Sequence, residues 1–136
     1  MTARTVTYWT TTILVAFFMS GGIAQVLRLP PTIDGFHRVL GYPVYFVVIL
    51  GVWKILGAIA ILVPRFPLLK EWAYAGIMFD LTGAAATNAA VGDDGAYAFH
   101  IIAPLLIAGL TVASWALRPP SRVLPGVRIR GLSNPA

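Results

Sequence analysis

Lys54 and Asp80 stand inside long apolar stretches of the chain, where an ammonium and a carboxylate can bind a polar group or move a proton. Lys54 lies eleven residues after Pro43, and Asp80 lies ten residues before Ala90. If both stretches are helices, a rise of about 1.5 Å per residue places the two side chains at nearly the same depth. Isolated charges are costly inside a membrane, so we expect the two residues to contact each other as an ion pair.

Small residues flank both charges at helical spacing, and such residues let helices approach closely in lipid. They are Gly51, Gly57 and Ala58 around Lys54, and Gly76, Gly83 and Ala84 around Asp80. We therefore predict close helix packing at the level of the pair. The pair has two interpretations: a ligand-binding or proton-linked site at mid-membrane, or a buried contact that only locks two helices together.

A second set of polar residues falls nearer one end of the apolar stretches, and it consists of Gln25, Thr87, Asn88 and His100. Pro104 follows His100 by four residues and cannot donate to the His100 carbonyl, which leaves a free acceptor beside the imidazole. We predict that this set lines a ligand-binding vestibule leading to Lys54 and Asp80. The candidates for a catalytic role are Asp80, Lys54 and His100. The alternative is ordinary hydrogen bonding between helices.

Several kinds of chemistry are excluded by residue type. The chain has no cysteine, which excludes disulfides, thiolate nucleophiles and cysteine-ligated metals or clusters. Its two histidines are too few for a convincing metal site. The sequence contains no phosphate-binding loop, nucleophile elbow or zinc motif. We therefore predict no metal and no evident cofactor, and a redox role would need a diffusible group such as a quinone.

The composition indicates a membrane protein. Of the 136 residues, 58% are hydrophobic and 11% are charged, whereas a soluble domain carries about a quarter charged residues. Stretches of about 20 residues with at most one charge predict membrane-spanning helices. They lie at about 9–27, 43–63, 72–90 and 97–117. The predicted fold is an all-α integral membrane four-helix bundle, up-down-up-down, formed by residues 1–118.

Lysine and arginine residues in the connections predict the orientation of the bundle. One side holds seven of them and the other side holds two. Both termini should therefore be cytoplasmic, and the net charge of +5 indicates topology and not nucleic-acid binding. Residues 119–136 are predicted to form an exposed basic tail, and Asp93 with Asp94 to cap the fourth span. A cleaved signal peptide ending near Gly22-Ile23-Ala24 is the alternative for the first span.

The middle of the chain resembles the DoxX-like family of small four-helix membrane proteins. The resemblance is carried by Gly35–Asp93, above all by LGYP at the start of the second span and by Gly51-x-x-Lys54-x-x-Gly57-Ala58. The stretch Lys70-Glu71-Trp72-Ala73-Tyr74-Ala75-Gly76 at the start of the third span adds to it. With the fourth span included, the likeness covers most of residues 8–118.

The resemblance implies a four-helix bundle in the bacterial inner (plasma) membrane. Members of the family resemble membrane subunits of thiosulfate:quinone oxidoreductase, or partners in actinobacterial redox-stress complexes, so a redox role follows by analogy. Lys54 and Asp80 match polar positions of the family pattern. Many relatives carry a histidine near the position of Asn88, and its absence here speaks against a metal, haem or histidine relay.

Four functions remain open from the sequence, and the fourth, half of a transporter, would need dimerisation to make a path. The first is a redox-associated accessory that binds a quinone-like molecule near Lys54, Asp80 and His100, with its mouth formed by Phe36, Tyr42, Tyr45 and Phe46. The second is a non-catalytic structural or assembly protein. The third is a small isomerase using Asp80 or His100 as acid or base on a lipophilic substrate, so the sequence leaves open whether the protein is an enzyme. The expected partners are the bilayer, a lipophilic molecule, and a membrane redox protein or a second copy, but not nucleic acid.

Overall fold

The computed structural model describes residues 2–92 and 97–125, which form helices and no strand. Predicted capping by Asp93 and Asp94, and the tail from residue 126 onward, lie outside the described residues. The helices are α1 (Ala3–Met19), α2 (Gly22–Val26), α3 (Pro30–Ile33), α4 (Val44–Leu62), α5 (Pro67–Val91) and α6 (Tyr97–Ala116). A π-helical turn covers Asp34–Val39, and a 3₁₀ turn covers Pro120–Arg122.

Local sequence signals explain where the long helices begin and end. Thr2 caps α1, because its hydroxyl accepts a hydrogen bond from the Thr5 amide at 3.3 Å. Pro67 occupies the first turn of α5, where a missing N–H costs nothing. Gly92 ends α5 with a φ of 63°, which glycine adopts without strain. Both α1 and α5 thus begin before the predicted spans do, and Lys70 lies in a helix instead of a loop.

Three segments of the described residues are long and apolar enough to cross a membrane: Ala3–Val26, Val44–Leu62 and Ala98–Ala116. Helix α5 is long enough but less apolar than these three. Its composition explains the difference, since it contains Lys70, Glu71 and Asp80 together with many alanines and glycines.

The helices enclose one apolar core. Helix α5 packs against α4 and α6, α1 packs against the same two helices, and α2 packs against α4. The core residues are Val15, Ala16, Met19, Ala58, Ile61, Tyr74, Ile77, Leu81 and Ala108. Large apolar side chains also point outward from these helices, among them Phe17, Trp53 and Phe79. Outward apolar side chains on several helices suit a lipid environment.

Gly22 and Gly51 bring the backbones of α2 and α4 into contact. A Cβ atom on Gly22 would lie 2.5 Å from the Gly51 carbonyl oxygen, and one on Gly51 would lie 2.6 Å from that of Gly22. Gly76 and Gly83 behave differently, because a Cβ atom there meets nothing within 4 Å. The predicted close packing around the pair therefore involves Gly51 of α4, and it does not involve Gly76 or Gly83 of α5.

Two buried cations occupy the C-terminal end of α4, where the last carbonyl groups of a helix have no partner within the helix. The Lys70 ammonium donates to the Ala60 and Val63 carbonyls. The Arg122 guanidinium donates to the Leu62 carbonyl at 3.2 Å and to the two carbonyls on either side. We call Lys70 and Arg122 the α4 cap. Cations at this end also complement the negative pole of the helix dipole.

The expectation of an exposed tail over residues 119–136 is wrong at Arg122, and Arg118, directly before that range, is buried as well. Arg118 and Arg122 are only 2% and 8% exposed. Arg118 forms an ion pair with Glu71 at 2.6 Å, and Arg122 lies over the ring of Trp9 at 4.9 Å. The chain thus folds back across one end of the bundle after α6.

Candidate functional site

Lys54 and Asp80 contact each other, as predicted. The Lys54 Nζ atom lies 3.7 Å from Asp80 Oδ2, and the two side chains are 13% and 18% exposed. This distance is that of an ion pair but longer than a direct hydrogen bond. Asp80 Oδ2 is buried without a hydrogen-bond partner. The pair therefore keeps unused hydrogen-bonding capacity in an apolar setting.

The pair lies at a groove between α4 and α5. The groove has a volume of about 480 Å³, within the range of small-molecule sites. Apart from Lys54 and Asp80, its lining is apolar and consists of Met19, Leu50, Trp53, Leu56, Gly57, Ala60, Leu69, Trp72, Ala73, Gly76, Ile77 and Phe79. We call this feature the α4–α5 groove. It offers apolar walls with aromatic rings, and one charged pair that could orient a ligand.

An aromatic cluster from the segment before α4 approaches the pair. The Phe36 ring lies 5.8 Å from Lys54 Nζ, close enough for a cation–π contact. Tyr42 stacks on Phe36 at 6.3 Å, and its hydroxyl forms a 2.6 Å hydrogen bond with Thr87. Phe46 packs edge-on against Tyr42. Three of the four predicted mouth aromatics thus cluster beside Lys54, although they do not line the groove.

The other predicted site residues do not line the α4–α5 groove. His100 is exposed beside Phe99 on α6. Asn88 donates to the Ala84 carbonyl in its own helix, as a structural polar residue would. The structure therefore brings Lys54 and Asp80 together at the groove, and does not place His100 with them there.

Gln25 is the remaining member of the predicted set, and its position is unusual. It is 2% exposed, and its Oε1 atom is buried without a hydrogen-bond partner. It sits at the contact of α2 with α4, where its Cβ atom lies beside Gly51 and where Gly22 meets the Cβ atom of Lys54. Gln25 thus belongs to the same helix crossing as Lys54, but it does not line the groove.

Comparison with known proteins assigns the chain to a family. The family model described as the DoxX-like family matches residues 9–114. This chain belongs to the DoxX-like family. No curated protein and no solved structure matches it significantly. The matched range contains Lys54, Asp80 and every residue that lines the groove.

Aromatic groove residues of this DoxX-like protein are not evident from residue chemistry alone. Trp53 directly precedes Lys54, and Phe79 directly precedes Asp80, while Trp72, Gly76 and Phe79 recur at helical spacing. That spacing is the available signal, because it predicts a stripe with two aromatic residues beside the carboxylate. Buried arginines were hidden from sequence reasoning, since Pro- and Arg-rich segments usually indicate exposed tails.

The described ranges of the DoxX-like chain, 2–92 and 97–125, contain no group of three or more His, Asp or Glu residues placed to hold a metal ion. Chemistry at the groove rests on one ammonium and one carboxylate. Lys54 can donate hydrogen bonds, and an ionised Asp80 can only accept them. This arrangement can orient the polar head of a ligand whose body lies against Trp53, Trp72 and Phe79.

Proposed function

We propose that this DoxX-like protein binds a lipophilic small molecule in the α4–α5 groove, with the polar head of the molecule at Lys54 and Asp80. One observation carries the proposal: an apolar groove of about 480 Å³ has a paired ammonium and carboxylate in its lining. Small-molecule sites typically combine apolar walls with a few polar groups that fix orientation. A pair that served only to lock two helices would need no adjoining groove.

The specific role that we propose is that of a redox-associated accessory with a quinone-like ligand. Membership of the DoxX-like family supports this role by analogy. Trp53, Trp72 and Phe79, which are exposed at the open side of the groove, offer aromatic rings to a planar ligand. The Lys54 ammonium supplies a donor for an oxygen of that ring. The partner in electron transfer would be a membrane redox protein.

For the setting, we propose an up-down-up-down bundle of α1, α4, α5 and α6 in the bacterial inner membrane, with both termini cytoplasmic. Helices α4 and α5 are antiparallel, which supports this arrangement: Lys54 contacts Asp80, and Ala60, later in α4, contacts Lys70, earlier in α5. The contacts of α6 with α5 run in reversed order in the same way, since Tyr74 meets Ser114 and the earlier Glu71 meets the later Trp115. On α1, Thr12 meets Ser114 of α6, and the earlier Tyr8 meets Arg122, which follows α6. The seven-to-two distribution of cations supports the orientation.

A non-catalytic assembly protein is the second candidate, and a specific observation favours it. Buried hydroxyls of Thr12, Ser114 and Tyr74 form a continuous chain of hydrogen bonds of 2.6 and 2.7 Å that joins α1, α5 and α6. Such a network rigidifies a bundle without any ligand. The isomerase alternative keeps only Asp80 at the groove, because His100 does not line it.

Filling the groove tests the proposal. Gly76 lines the groove and Gly83 does not, and a side chain at either position meets open space. Gly76→Leu and Gly83→Leu are therefore matched variants on one helix. Lipids and quinones that co-purify with each protein are extracted and quantified by mass spectrometry.

We expect the wild-type chain and Gly83→Leu to retain the same enriched lipophilic molecule, and Gly76→Leu to lose most of it. Asp80→Asn should reduce its amount because the head loses an ionic partner. If Gly76→Leu retains as much of every lipophilic molecule as Gly83→Leu, the groove is not a binding site and the assembly function is preferred.

A further inference from the structure

Lys54 and Asp80 hold more hydrogen-bonding capacity than the described residues use. An ammonium has three donors, and an ionised carboxylate has about four acceptor positions. Within residues 2–92 and 97–125, Lys54 Nζ lies 3.7 Å from Asp80 Oδ2, and Asp80 Oδ2 is buried without a hydrogen-bond partner. Buried polar groups are normally hydrogen-bonded, so Asp80 Oδ2 has capacity for a further donor.

The separation of the pair indicates what that group must do. Nζ and Oδ2 are 3.7 Å apart, too far for a direct hydrogen bond. An atom seated beside both must accept a hydrogen bond from Lys54 and donate one to Asp80. A hydroxyl oxygen does both, because it carries one donor and two acceptor positions.

Head groups that only accept or only donate hydrogen bonds satisfy only half of the pair. A carbonyl oxygen accepts from Lys54 but leaves the carboxylate of Asp80 without a donor. A second ammonium would repel Lys54, and a second carboxylate would repel Asp80. A bridging water meets the same requirement as a hydroxyl, but it leaves the aromatic groove beside the pair empty.

We propose that the α4–α5 groove selects lipophilic molecules whose head is a hydroxyl group, namely phenols and long-chain alcohols, over those whose head only accepts hydrogen bonds. This inference rests on the proposed function, that the groove binds a lipophilic ligand. For a quinone-like ligand it means that the reduced form, which carries hydroxyls, binds more tightly than the oxidised form. The pair then discriminates between ligands by whether the head group can donate a hydrogen bond to Asp80.

Two probes of nearly the same shape separate hydroxyl recognition from apolar binding. 4-Dodecylphenol carries a hydroxyl, and 4-dodecylanisole carries a methyl ether that cannot donate. Trp53 and Trp72 line the groove, so tryptophan fluorescence of the full chain in detergent reports binding. Gly76→Leu has the same tryptophans and measures partition of the probes into the micelle.

For the wild-type protein we expect the phenol to bind about tenfold or more tightly than the ether, since hydrogen bonds to charged groups are the strong ones. The double variant Lys54→Met with Asp80→Leu keeps the groove apolar and leaves no charge unpaired. It should bind both probes with a ratio near one. Asp80→Asn, which retains an acceptor but not the charge, should give an intermediate ratio.

Each outcome is decisive. If wild type binds both probes equally and above the Gly76→Leu background, the hydroxyl inference is wrong while the proposed function stands. If neither probe exceeds that background, both are wrong. A phenol preference that persists unchanged in the double variant and in Asp80→Asn would place the recognition elsewhere and overturn the inference.

Discussion

Lys54 and Asp80 place opposite charges in an apolar interior, and each is tolerated there because of the other. Removing one partner of a buried pair leaves an uncompensated charge, whereas replacing both by apolar residues is often neutral. The 3.7 Å separation and the residual exposure make this pair less tightly coupled than a fully enclosed one. The two residues that line the proposed binding groove therefore also stabilise the fold.

Asp80→Ala should lower the free energy of unfolding by about 3 kcal/mol, the lower end for a buried pair, because Lys54 keeps some exposure. Lys54→Met combined with Asp80→Leu should recover most of that loss. Folded yield and the thermal midpoint in detergent measure both effects. Asp34→Ala is the matched control, since its ion pair with Arg38 is exposed. Equal losses for the single and double variants would contradict a stabilising contact.

Depth in a helix follows from counting residues, whereas the direction of a side chain does not. The fixed rise per residue was enough to predict that Lys54 meets Asp80. His100 does not line the groove, whose α5 residues run from Leu69 to Asp80, toward the start of α5 and away from the end that precedes α6. Which residues enclose a groove depends on tertiary contacts, which one sequence does not specify.

At the scale of elements, α5 connects the features of this bundle. It is the least apolar of the long helices, and it supplies Asp80 to the groove, Lys70 to the α4 cap and Glu71 to the ion pair with Arg118. Its two ends follow from Pro67 and Gly92, which are recognisable in the sequence. Its hydropathy is low because one helix carries polar contacts at several levels.

The contact of α2 with α4 should be intolerant of any side chain. Gly22→Ala puts a methyl group 2.5 Å from a backbone oxygen that cannot move aside, so we expect a loss of about 2–3 kcal/mol, typical of overpacking. Gly83→Ala meets nothing and should leave stability equal or slightly higher, since alanine favours helices. Thermal midpoints in detergent compare the two variants. A Gly22→Ala protein as stable as Gly83→Ala would refute the close contact.

At the scale of the whole molecule, composition and spacing were sufficient for the helical architecture, and the resemblance of short motifs was sufficient for the family, but none of them showed how the ends close. Apolar length predicts α4 and α6 within one residue at each end. Arg122 lies beyond the last span in a stretch that hydropathy treats as solvent-exposed, yet it is buried. Its burial depends on unpaired carbonyls about sixty residues earlier in the chain. No periodic pattern in the sequence indicates a contact between residues so far apart.

The proposed orientation predicts opposite results for reporters at two positions. A fluorescent protein fused after Ala136 should fluoresce in the cytoplasm, whereas alkaline phosphatase inserted within residues 91–96 should be active outside. The reason is the excess of lysine and arginine on one side. If phosphatase fused after Ala136 is active, the orientation is wrong and a cleaved first segment becomes the better explanation.

Arg122 of the α4 cap is synthesised well after the α4 carbonyls that it binds, so the end of α4 is capped in two steps. Leu62 and Arg122 are sixty residues apart, so at about 5–20 residues per second the ribosome needs roughly 3–12 s to supply the arginine after the carbonyl. During those seconds the end of α4 has only Lys70 and the surrounding water for its carbonyls. The bundle therefore acquires its final closure only once residue 122 has been synthesised, and a chain that stops before residue 122 would leave that end without its arginine.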